Sequence, residues 1–152
     1  GVGKSTIGNL LSEQLNIPFF DGDDYHPPAN ILKMSNSQAL TDDDRRPWLQ
    51  ALNVLAEKEI ETNSCIVGCS ALKQQYRELL SNEIEQQSIW IHLYGTFDQV
   101  LERLKQRSGH FMPMDLLRSQ FDTLEESNGA IKIDIKLDPN EIVQKIVDHL
   151  RR

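Results

Sequence analysis

Along this chain the apolar positions alternate between helical and extended spacing. From Lys4 to Leu15 the residues Ile7, Leu10, Leu11 and Leu15 recur one or two turns apart, which predicts a helix opening directly out of a glycine-rich start. Pro18-Phe19-Phe20-Asp21 reads as a short strand ending in acids, and the pair Pro27-Pro28 forces a turn because neither a helix nor a central strand continues through it. A short helix is expected around Ala29 to Met34. Thr41-Asp42-Asp43-Asp44 offers N-caps for a long helix with Trp48, Leu49, Leu52, Leu55 and Ile60 on one face, and Pro47 suits its first turn.

The second half repeats the alternation. Cys65-Ile66-Val67-Gly68-Cys69 is a continuous apolar run, the signature of a strand covered on both faces. Helices are expected over Leu72 to Leu80, Phe97 to Arg107 and Leu116 to Leu124, with a strand over Ile89 to Tyr94. Ile131 to Ile135 alternates apolar with charged residues, as an edge strand with one wet face does, and Asp138-Pro139 starts a final helix carrying Ile142, Val143, Ile146, Val147 and Leu150. Strand and helix in turn imply an α/β domain: a mostly parallel sheet with helices on both faces. The 152 residues amount to one domain, without repeat or linker.

Composition narrows the function. A formal net charge of −7 argues against a nucleic-acid binder, which needs clustered Lys and Arg against the phosphate backbone. No apolar run approaches the roughly 20 residues of a membrane helix, so the expectation is a cytoplasmic protein without a membrane partner. In an extended strand Cys65 and Cys69 lie about 13 Å apart on one face, too far to bridge. His26, His92, His110 and His149 are scattered and do not complete a zinc site, which leaves both cysteines as core residues.

Three clusters carry chemistry. Gly1-Val2-Gly3-Lys4-Ser5-Thr6 matches the end of the phosphate-binding pattern G-x-x-x-x-G-K-[ST]: the glycines let backbone amides approach phosphates, Lys4 reaches the β and γ oxygens of ATP, and Ser5 ligates Mg²⁺. The pattern's first glycine and the strand that feeds it would precede residue 1, so the sequence is expected to be truncated. Asp21-Gly22-Asp23-Asp24 ends the second strand of such a fold, at the edge where parallel sheets bind ligands; an acid there orients Mg²⁺ or accepts the proton of an attacking hydroxyl, and otherwise serves as a turn cap. Arg103 and Arg107 sit one helical turn apart, spaced either to clamp a phosphoryl group or to complement the helix dipole.

The blocks DGDDYHPPANILKM, LTDDDRRPWLQAL, CSALKQQYRELL and RSGHFMPMDLLRSQFDTLE, in this order and spacing, resemble the gluconokinase family among the shikimate-kinase-like P-loop kinases. The resemblance runs over essentially the whole chain. It implies a three-layer fold with a five-stranded sheet whose first strand lies outside this sequence, a lid at about 107–118, ATP and Mg²⁺ as cofactors, D-gluconate as substrate and a possible homodimer. Carried over by position, it puts Gly1, Gly3, Lys4, Ser5, Thr6, Arg103 and Arg107 on the nucleotide, and Ser5 and Asp21 on the metal. Lys4, Asp23 and Arg107 become the catalytic residues, and Asp23, His26, Arg45, Lys73, Tyr76, Arg77 and Gln120 the substrate pocket. Arg45 could instead pair with the Asp42 to Asp44 run, and Tyr76 could be core.

Two other classes share the loop. A GTPase switch protein would carry N-K-x-D and D-x-x-G elements, and neither is present. An inactive nucleotide-binding relative would bind ATP without turnover, and a kinase for another hydroxylated acid such as shikimate is the nearest alternative enzyme.

Overall fold

The computed structural model describes residues 3–106 and 114–152. Gly1 and Arg107, both expected at the nucleotide, and most of the expected lid lie outside them. The elements run α1 (Lys4–Leu15), β1 (Phe19–Asp21), α2 (Pro28–Ser35), α3 (Asp42–Ile60), β2 (Ile66–Gly68), α4 (Gln74–Leu80), β3 (Ile91–Tyr94), α5 (Phe97–Gln106), α6 (Met114–Thr123), β4 (Ile131–Asp134) and α7 (Pro139–Leu150). A 3₁₀ turn, Gly22–Tyr25, links β1 to α2.

Among the described residues all pairing between strands is parallel. β1 lies against β2 with Phe19 opposite Ile66 and Asp21 opposite Gly68. β3 lies against β4 with Ile91 opposite Ile131 and Tyr94 opposite Asp134. Among the described residues these form two two-stranded sheets in place of one continuous sheet. A cavity of about 820 Å³ separates them, lined by β2, β3 and the apolar faces of α1 and α7, including Ile7, Leu11, Ile66, Val67, Leu93 and Ile146.

The strands are covered on both sides. On one, Ile7 and Leu11 of α1 pack with Ile142, Val143, Ile146 and Val147 of α7, and Ile66, Ile91, Ile131 and Ile133 of the strands join them. On the other, Trp48, Leu49 and Leu52 of α3 pack with Tyr76 and Leu80 of α4, and here Val67 points in. Adjacent residues of β2 thus serve opposite layers, the reason its sequence is apolar without alternation. A third cluster joins Val100 of α5, Leu117 of α6 and Ile135. Among the described residues β4 pairs with β3 alone, and it does alternate, Lys132 being exposed and Ile133 buried.

The helix ends follow local chemistry. Thr41 and Asp44 form a reciprocal capping box, the Thr41 hydroxyl accepting from the Asp44 amide and the Asp44 carboxylate from the Thr41 amide. Because the cap is Thr41, Pro47 falls in the second turn, not the first, and leaves the Asp43 carbonyl without its helical donor. Both cysteines are free thiols. Among the described residues no helix is long and apolar enough to cross a membrane.

Candidate active site

The phosphate end is built from backbone. Gly3 caps α1 with φ at 90°, a left-handed conformation that glycine adopts without penalty, and its carbonyl accepts the first helical bond, from Ile7. The amides of Lys4, Ser5 and Thr6 are therefore the unpaired first turn of a twelve-residue helix, a ready anion site. α1 reaches this position because Gly8 meets the ring of Phe19, where a Cβ would clash. Arg103 on α5 also reaches this end: its Nη1 would lie 3.7 Å from a Cβ at Gly3, and its Nη2 is tied to the Ile135 carbonyl.

Asp21, at the carboxyl end of β1, joins this end to the next. Its Oδ2 accepts from the Ser5 hydroxyl at 2.8 Å, and its Oδ1 accepts from the Asp23 amide at 3.0 Å, closing the 3₁₀ turn. That turn passes so close to β2 that a Cβ on Gly22 would collide with the Gly68 carbonyl. Asp23 is left exposed at its crest. A hydroxyl and a carboxylate in contact beside a phosphate-binding helix end are hard oxygen donors of the kind Mg²⁺ takes alongside phosphate oxygens. Among the described residues no cluster of three or more His, Cys, Asp or Glu side chains forms a closed metal cage.

The other end is built from side chains far apart in sequence. His26 stacks on Trp48 with ring centroids 4.0 Å apart, and the Trp48 indole donates to the Gly22 carbonyl at 2.7 Å, pinning the acidic turn to α3. The buried Asn30 amide donates to the Asp44 carbonyl at 2.9 Å, which fixes its orientation and aims the same nitrogen at His26 Nδ1, 3.2 Å away. Nδ1 therefore accepts, and the imidazole proton sits on Nε2. Burial pulls the His26 pKa below its ordinary value, with Asp23 opposing and Arg45 adding to the shift, so the ring is a neutral donor.

Arg45 and Lys73 flank Tyr76. Arg45 donates to the Tyr76 hydroxyl at 2.9 Å and lies over its ring, while Lys73 approaches the same ring. Asp42 organises the group: it accepts from the Tyr76 hydroxyl, from Lys73 at 2.9 Å and from Gln75 at 3.0 Å, and these bonds hold its carboxyl down at about 2. The local pairing open to Arg45 is not made. Asp43 takes Arg46 and Asp44 takes Lys33. Tyr76 is both buried at 1% exposure and part of the polar network.

The two ends meet at the carboxyl end of β2. Desolvation pushes the Cys69 thiol up to about 12, and the charges acting on it are Lys4, Asp23, Arg45 and Asp21, in falling order. Geometry puts both ends here: a Cβ at Gly68 would lie 3.9 Å from Lys4 Cβ, and the Gly22 turn crosses the Gly68 carbonyl. Gln120 of α6 and Lys4 border the same cavity. Arg77 departs from the expected place in the substrate pocket: its guanidinium faces main-chain carbonyls. Trp48, Asn30, Asp42 and Cys69 belong to the site without standing out as site residues in the sequence; only the acidic run around Asp42 carries a signal, and it reads as a cap.

Residues 1–151 match the family model for shikimate kinase. The chain is 46% identical over 136 residues to the thermoresistant gluconokinase of Escherichia coli K12, an alignment covering 89% of this chain and 77% of that one. This chain belongs to the gluconokinases of the shikimate kinase family. A solved gluconokinase from Sinorhizobium meliloti 1021 superposes with a TM-score of 0.89 at 39% identity, covering all of this chain and 87% of its own. A shikimate kinase from Aquifex aeolicus shares the fold less closely, with a TM-score of 0.69 at 26% identity over 99% of this chain and 90% of its own. Within the family, the contrast favours the gluconokinase branch.

Proposed function

We propose that this gluconokinase-family enzyme transfers the γ-phosphoryl group of ATP to D-gluconate, giving 6-phospho-D-gluconate and ADP, and that the site described above performs the transfer. The observation that carries this reading is that the anion-binding start of α1 and the acidic turn bearing the exposed Asp23 both meet the end of β2 at Gly68. The α1 amides and Lys4 hold the phosphate chain, with Arg103 beside them. Arg45, Lys73 and Tyr76 receive the sugar-acid carboxylate, while His26 Nε2–H donates to a hydroxyl. Asp23 aligns the attacking hydroxyl and takes its proton as the oxygen bonds to phosphorus. Gln120 closes the pocket from α6. Ser5 and Asp21 would hold Mg²⁺, which when bound neutralises charge on the phosphate oxygens.

The proposal extends to the sheet, the setting and the assembly. A fifth parallel strand seated in the cavity would pair the free edges of β2 and β3 and unite the two sheets; slow amide exchange along both edges checks this. The enzyme is assigned to the cytoplasm, as a homodimer whose mass sedimentation would report. The reaction itself is tested by coupled ADP release with D-gluconate, D-glucose and shikimate. Turnover confined to gluconate is expected, because glucose brings no carboxylate to Arg45 and Lys73, and a site built for a polar partner rejects analogues lacking it by up to about 10⁴-fold. Equal turnover of glucose or shikimate refutes the assignment.

A further inference from the structure

Arg77 is 7% exposed, and every N–H of its guanidinium has a partner. Nε donates to the Ala71 carbonyl at 2.9 Å; Nη1 donates to the Glu126 carbonyl at 2.9 Å and to Gln74 Oε1 at 3.5 Å; Nη2 donates to the Leu72 carbonyl at 3.1 Å and to the Glu125 carbonyl at 2.6 Å. These carbonyls belong to two separate segments. Residues 71–72 lead from β2 into Lys73, and residues 125–126 follow α6. The same segments are fastened again around the fork. The Glu125 amide donates to the Leu72 carbonyl at 2.7 Å, and the Glu125 carboxylate accepts from the Gln74 amide at 2.8 Å. Two residues on from Glu125, the Ser127 hydroxyl meets His92 Nδ1 at 2.8 Å on β3.

Burying a cation among neutral dipoles, with no carboxylate on the fork, is a costly way to tie a loop that apolar packing could hold. What the planar fork provides, and packing does not, is four directed bonds to main-chain carbonyls that set two backbones at one separation. We propose that Arg77 is a positioning residue: it sets the Lys73 loop against the segment leaving α6, and so places Lys73 for the carboxylate of the substrate. The proposal rests on the reading of Lys73 as a gluconate contact. It replaces direct substrate contact by Arg77 with action through Lys73.

The test is a double-mutant cycle on the full protein, with D-gluconate and ATP as variable substrates. Arg77→Lys keeps the charge but loses the fork, and should raise KM for gluconate about tenfold while KM for ATP stays within about twofold. In a Lys73→Met background the same change should leave KM for gluconate unaltered, since the group it positions is gone. Additive effects of the two substitutions would show Arg77 contacting gluconate independently and overturn the proposal. A parallel rise in KM for ATP would mark general loosening and overturn it too. If Arg77→Lys does not fold, Glu125→Ala, at an exposed side chain, carries the cycle with a smaller rise in gluconate KM that again vanishes without Lys73; no rise refutes the proposal. Wild-type protein that turns over ATP with shikimate but not gluconate overturns the functional reading itself, an outcome distinct from a failed cycle.

Discussion

The phosphate end and the sugar-acid end of this site are held by different means. At the first, Gly3, Lys4, Ser5 and Thr6 are consecutive, and the binding groups are mostly amides that exist because a helix begins there. At the second, Asp42, Arg45, Lys73 and Tyr76 come from two helices and the residue capping one of them, and form contacts across 31 to 34 residues. A helix end survives substitution of its side chains, whereas a side-chain network is part of the packing between α3 and α4. The first end can therefore lose chemistry without losing stability, and the second cannot.

The steepest loss is expected at the first end. Lys4→Ala should lower kcat by about 10²–10³-fold, the scale of removing one preorganised charge donor, while leaving the melting curve nearly unchanged. Parallel ADP-release and calorimetric measurements check both halves of that statement. Asp23→Asn should lower kcat by about 10²-fold with ATP affinity intact, because only hydroxyl alignment and proton acceptance are lost; a kinetically silent variant would refute its assignment.

Crossing to the other end, Lys73→Met should raise KM for gluconate by roughly 10-fold or more, the scale of one charge-assisted hydrogen bond, and leave KM for ATP alone. It also strips Asp42 of a donor, so unlike Lys4→Ala it should lower the melting temperature. If the two variants melt alike, the contrast between the ends is wrong. Trp48→Phe removes the bond to the Gly22 carbonyl and should cost about 1–3 kcal/mol of stability, measurable by urea titration.

The mildest contrast is in pH dependence. Burial lowers the pKa of both His26 and His92, so the unfolded chain takes up protons before the folded one as pH falls. Stability is then full above the unfolded value of about 6.5 and declines as pH drops through the lower folded values. His26→Gln should flatten part of that decline in melting temperature between pH 7 and 5, and His92→Gln another part. An unchanged profile in both variants would contradict the burial argument.

Elements held together by neighbours in sequence are legible in the chain itself. The period of Ile7, Leu10, Leu11 and Leu15 marks α1 to its ends, and the apolar run around Val67 marks a strand covered twice. The short strands end a residue or two inside the limits their apolar runs suggest, because pairing rather than propensity ends them. Pro47 lies one turn deeper than its type suggests, since which residue of the Thr41 to Asp44 run caps the helix depends on a reciprocal bond that spacing alone leaves open.

Local sequence is enough to dictate the alternation of strand and helix, the glycine that must open α1, and the acids at the end of β1, each following from bonds within a few residues or from the steric limits of one backbone position. Which charges pair is a matter for the tertiary structure. Asp42 could have taken Arg45 on its own helix, yet it holds Lys73 and Tyr76 of another segment. Arg77 could have faced a ligand, yet it binds four carbonyls from two loops. A long flexible side chain reaches many partners from one position, and only the packing of α3, α4 and the segment after α6 selects among them.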